Sequence, residues 1–102
     1  MTEPLSAPMS DDAALERGLL IVNRKGLHAR ATAKFVQCCE KFDAVVTVTK
    51  DGATADGSSI LDILMLGAGI DSTITVTAEG PDAEAALAAL AELVANRFGE
   101  EE

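Results

Sequence analysis

The apolar positions change period several times along the 102 residues, and each change predicts an element. Leu19-Leu20-Ile21-Val22, after Gly18, reads as a first strand, ended by Asn23 and a turn around Gly26. Beyond His28 the period lengthens, and Thr32, Phe35, Val36, Cys39 and Phe42 share one helical face. Ala44 to Lys50 is rich in β-branched residues and predicts a second strand. Asp51-Gly52 then returns a third, from Ala53 to Asp56, as a hairpin. Ser59 to Asp62 has the form of a capping box, in which Asp62 reaches back to the cap and Ser59 accepts the N–H of Asp62. A short helix follows through Leu66 and stops at Gly67. Thr73 to Ala78 alternates as a fourth strand. Gly80-Pro81-Asp82 opens a final helix that buries Ala83, Ala86, Leu87, Leu90 and Val94.

The order is βαββαβα. Such an order predicts an α+β domain, a four-stranded antiparallel sheet covered on one face by three helices. Residues 1–16, rich in Pro, Ser, Asp and Ala, are expected to form a flexible extension, 17–99 the domain, and 100–102 an acidic tail. No apolar stretch approaches the roughly 20 residues of a membrane span, and the N-terminus lacks the pattern of a signal peptide. Cys38 and Cys39 are adjacent, a spacing unsuited to a disulfide, and no further Cys or nearby His completes a metal set. Reduced thiols in a cytoplasmic protein are the expectation.

The net charge of −9 is concentrated at the ends. Between Arg17 and Arg97, eight basic residues face ten acids, so the body is close to neutral. Arg24, Lys25, Arg30 and Lys34 fall within eleven residues that contain no acid. A local positive field of this kind suits one anion site and argues against general nucleic-acid binding. The single histidine, His28, lies inside it, after the Gly26 turn and at the expected first position of a helix. There the N–H groups of Ala29 and Arg30 point outward. The helix dipole favours a neutral, nucleophilic imidazole, and the Arg30 guanidinium can fork around an anion. A histidine so placed is either a surface residue at a helix start or a nucleophile within an anion nest.

Gly26-Leu27-His28-Ala29-Arg30 resembles the active-site signature of the histidine-containing phosphocarrier protein (HPr) family of the phosphoenolpyruvate-dependent phosphotransferase system. The resemblance extends through Phe35-Val36-Gln37, Asp51-Gly52, Ser58-Ser59-Ile60-Leu61 and Gly80, covering roughly residues 18 to 98. It implies an HPr-like open-faced β-sandwich and a phosphocarrier that acts in a relay and not as an independent catalyst. His28 would be phosphorylated at Nδ1 by Enzyme I, with Arg30 and the backbone of Ala29 and Arg30 holding the phosphate, and would pass the group to an EIIA-type acceptor. Ser59 aligns with the serine modified by HPr kinase/phosphorylase. Lys25, Lys34, Ile60, Leu61 and Leu64 become candidate docking residues, with Ile63 and Leu66 in the core.

No metal and no cofactor are implied, nor any nucleic-acid or membrane partner, and a monomer is expected. Two departures stand out. Ala31 occupies the place where the family commonly has Pro, and Lys25 the place of a small polar residue. The pattern is similar to both sugar-type HPr and the nitrogen-related member, NPr, with a regulatory, nitrogen-type role expected. The competing class is a phosphate-binding or regulatory interaction module without phosphoryl transfer.

Overall fold

The computed structural model describes residues 14–102. Its elements run β1 (Leu15–Leu20), α1 (Ala29–Cys39), β2 (Val45–Lys50), β3 (Ala53–Asp56), α2 (Ile60–Met65), β4 (Thr73–Glu79) and α3 (Ala83–Ala95), followed by a tight turn at Arg97–Gly99. The sheet order is β1-β4-β2-β3, and every neighbouring pair is antiparallel. β1 and β2 therefore run the same way with β4 between them, and β3 and β4 run the same way with β2 between them. Helices α1 and α2 are the crossovers that make those two connections. The expected fold class is the one observed.

Alternation along the strands separates two faces. Leu19, Val46, Val48, Ala55, Ile74, Val76 and Ala78 are buried beneath the helices. The opposite face is largely threonine, with Thr47 opposite Thr77 and Thr49 opposite Thr75 across β2 and β4. Phe35 and Val36 of α1, Ile63 of α2, and Leu87, Leu90 and Val94 of α3 close the core. The five residues expected to form the inner face of α3 are all buried.

The first strand begins earlier than its apolar run. Leu15 and Glu16 pair with Ala78 and Thr77, so the boundary drawn at residue 16 cuts through β1. The rest of the expected extension, residues 1–13, lies outside the described residues. β1 lies at the sheet edge, where Glu16, Arg17 and Gly18 stay exposed, so its N-terminal half shows no apolar period. Ile21 lies beyond the strand, although its N–H donates to the Ser72 carbonyl. Helix α1 ends at Cys39, one turn before Phe42. At the hairpin, Asp51 and Gly52 both have positive φ (51° and 86°), as a two-residue turn of this type requires.

Candidate functional site

His28 is the N-cap of α1 and not its first helical residue. Its backbone is extended (φ −78°, ψ 179°), and its Nδ1 accepts the N–H of Arg30 at 3.2 Å. The turn before it is fixed by glycine. Gly26 has φ +66°, and a Cβ there would stand 2.5 Å from the Ala68 carbonyl oxygen and 2.7 Å from the Gly69 Cα. That close approach lets the Leu27 N–H donate to the Ala68 carbonyl (2.9 Å) and ties the acceptor loop to the segment after α2. Thr32, fully buried, donates its hydroxyl to the Leu27 carbonyl at 3.2 Å.

The other imidazole nitrogen meets the far end of the chain. His28 Nε2 donates to Oε2 of Glu100, and the Glu100 Oε1 accepts from the Asn23 side-chain amide at 3.0 Å. Asn23 is fully buried, and the same amide nitrogen donates to the Gly26 carbonyl at 2.8 Å. Its Oδ1 finds no partner among the described residues. Burial alone would raise the Glu100 carboxyl. The hydrogen bonds from Asn23 and His28, with the charge of Lys25, outweigh that and hold it below its ordinary value.

Glu100 arrives there through a turn. Arg97, Phe98 and Gly99 all have positive φ (57°, 55° and 81°). Phe98 is buried to 1 % exposure, and its carbonyl accepts the Lys34 ammonium at 2.7 Å. Non-glycine residues in the left-handed region are costly, and here the packed Phe98 ring and the Lys34 contact hold two in succession. Glu102 continues to Arg24, its Oε1 2.8 Å from the guanidinium. Arg24, Lys25, Arg30 and Glu100 to Glu102 line a depression of about 310 Å³ beside His28.

Among the sequence candidates, His28, Ala29, Arg30 and Lys25 gather at this one place, with Arg30 and Lys25 exposed. Lys34 is half-buried and its ammonium is engaged by Phe98. Ser59 caps α2, its hydroxyl accepting the Asp62 N–H at 3.2 Å. Only half of the expected box forms, because the Ser59 N–H donates to the Asp56 carbonyl. On α2, Ile60 and Leu61 are exposed (41 % and 68 %), Leu64 is half-buried and Ile63 is fully buried. Leu66 is only partly buried against the core. Met65, absent from the sequence candidates, is the most exposed large apolar side chain of that helix, at 78 %. Asn23 and Glu100 are also absent from the sequence candidates, the first being expected at a strand end and the second in the acidic tail.

The family profile described as "PTS HPr component phosphorylation site" matches residues 15–96. Phosphocarrier protein HPr of Cupriavidus necator is 47 % identical over 88 residues, which span 86 % of this chain and 99 % of that protein. Phosphocarrier protein NPr of Shewanella violacea is 43 % identical over 86 residues, 84 % of this chain and 94 % of that protein. The crystal structure of an HPr from Thermoanaerobacter tengcongensis superimposes with a TM-score of 0.82 at 40 % identity, covering 86 % of this chain and 99 % of that one.

Proposed function

Because the chain belongs to the HPr family of phosphocarrier proteins of the phosphotransferase system, we propose that it takes a phosphoryl group from phospho-Enzyme I on His28 Nδ1 and passes it to an EIIA-type acceptor. The observation that carries this reading is the placing of Nδ1 at the start of α1, where it accepts from the Arg30 N–H and therefore presents a lone pair. In acceptance that lone pair forms the bond to phosphorus, while the donor's bond to phosphorus breaks and its electron pair returns to the donor. The Arg30 N–H, no longer needed by Nδ1, then donates to a phosphoryl oxygen, and the first-turn N–H of Ala29 and the Arg30 guanidinium complete the cradle. Donation is the reverse. Little else is required of the protein, since phosphoryl transfer rests on positioning and charge stabilisation.

Docking is assigned to Lys25 and to Ile60, Leu61 and Leu64, with Met65 extending their apolar patch. Lys34 contributes by holding the Phe98 carbonyl. Within the family we assign the chain to the regulatory, nitrogen-related branch, and Ser59 to control by HPr kinase/phosphorylase. A phosphoryl group at the α2 N-cap would sit where backbone N–H groups favour an anion, and would change the charge of the docking surface without unfolding the helix.

Intact mass after incubation with phosphoenolpyruvate, Mg²⁺ and Enzyme I tests the assignment. One acid-labile phosphoryl adduct is expected on the wild type and none on His28→Ala. Absence of an adduct with either branch's Enzyme I would overturn the carrier reading in favour of a phosphate-binding module. Faster loading by the sugar-branch enzyme would overturn the branch assignment.

A further inference from the structure

The imidazole of His28 is held at both nitrogens, by groups of opposite character, one two residues away in sequence and the other 72 residues away. A backbone N–H can only donate, so Nδ1 must carry its lone pair toward Arg30. An ionised carboxylate can only accept, so Nε2 must carry the proton toward Glu100. The two contacts specify one tautomer. Glu100 is itself fixed, by the Asn23 amide on its other oxygen and by the left-handed turn whose Phe98 is packed in the core. This is more apparatus than a solvated acidic tail needs.

We propose that Glu100 is a positioning residue that directs phosphoryl chemistry to Nδ1: it covers Nε2, accepts its proton, and leaves Nδ1 as the one nucleophilic nitrogen of the ring. The inference rests on the reading of His28 as the phosphoryl acceptor and adds what selects between its two nitrogens. When Nδ1 bonds to phosphorus the ring becomes an imidazolium, and its Nε2 proton remains against the Glu100 carboxylate, which balances the new positive charge. When the phosphoryl group leaves, the electrons of the N–P bond return to Nδ1 and the ring is released neutral, because Nε2 has kept its proton throughout. Without that carboxylate, Nε2 is open to solvent and to electrophiles, and either nitrogen can be attacked.

The test uses phosphoramidate, a small phosphoryl donor that needs no partner protein. Attack by an imidazole nitrogen on its phosphorus breaks the P–N bond and releases ammonia, and ³¹P NMR distinguishes the Nδ1 and Nε2 phosphohistidine isomers. On the full-length wild type, the Nδ1 isomer alone is expected. Glu100→Ala is expected to yield the Nε2 isomer as a substantial fraction. Glu100→Gln should keep most of the Nδ1 preference, since its amide oxygen can still accept from Nε2. An Nε2 product on the wild type, or the Nδ1 isomer alone on Glu100→Ala, would overturn the proposal. Loading by Enzyme I is measured in parallel. A chain that Enzyme I leaves unmodified, but whose phosphoramidate product changes isomer with Glu100, refutes the carrier reading and upholds this one. A chain that Enzyme I loads, but whose isomer ignores Glu100, does the opposite.

Discussion

At Gly26 a methyl group has nowhere to go. It would meet the Ala68 carbonyl and the Gly69 backbone, which cannot swing aside as a side chain can, in a conformation that costs an L-residue roughly 1–2 kcal/mol. Gly26→Ala is therefore expected to lower stability by more than that figure in urea unfolding, and to slow loading of His28 in the fraction that folds. Cys39 gives a prediction of the opposite kind, one of inertness. Burial, with smaller contributions from Cys38, Glu40 and Asp56, pushes its thiol up to about 12, against an ordinary 9.0. Alkylation of the native protein at about pH 8 should leave Cys39 untouched until the chain is unfolded, because the thiolate is the reactive form. Gly26 and His28 were legible in the sequence because their neighbours in the chain are their partners in the turn. Glu100 was not, because its contacts with His28 and Asn23 span 72 and 77 residues and no periodicity encodes them. Asn23 left a fainter signal: a polar residue at the end of an apolar run, opening a basic turn.

The helices sort their side chains more sharply than their sequences do. On α2 the same six residues carry a core anchor and a surface patch, and truncation separates the two. Ile63→Ala should cost about 2–5 kcal/mol, as expected for a fully buried aliphatic side chain. Leu61→Ala, at 68 % exposure, should change stability by no more than about 0.5 kcal/mol while weakening transfer to and from partner proteins. Unfolding midpoints and steady-state phosphotransfer, measured on both variants, check the pair. If Leu61→Ala transferred phosphate as well as the wild type, the docking role of α2 would be lost. The inner face of α3 could be read in full because a helix of alanine and leucine with an acidic first turn has one consistent period. The start of β1 could not, since at a sheet edge the backbone ladder, and not side-chain burial, holds Leu15 to Gly18 in place.

Across the whole molecule, segments 72 to 78 residues apart in sequence are joined at the acceptor site, and the join is electrostatic. The C-terminal glutamates bring negative charge to the loop where the cations cluster, so the acidic end of the chain neutralises part of the field that the basic loop creates. Because the docked Glu100 carboxyl lies below its ordinary value of 4.5, the docked state binds fewer protons than the released one as pH falls. The stabilisation from docking is thus fully present above pH 4.5 and is lost as the pH drops through the lower docked value. Amide shifts of Gly99 to Glu102, followed from neutral pH into the acid range, should stay docked down to 4.5 and move together below it. Asn23→Ala removes one of the hydrogen bonds that lower the carboxyl, so release should begin at a higher pH in that variant. A release midpoint above 4.5 in the wild type would mean that docking does not hold the Glu100 carboxyl below its ordinary value, and one that Asn23→Ala leaves in place would mean that the tail is held by the Phe98 turn and the Arg24–Glu102 pair.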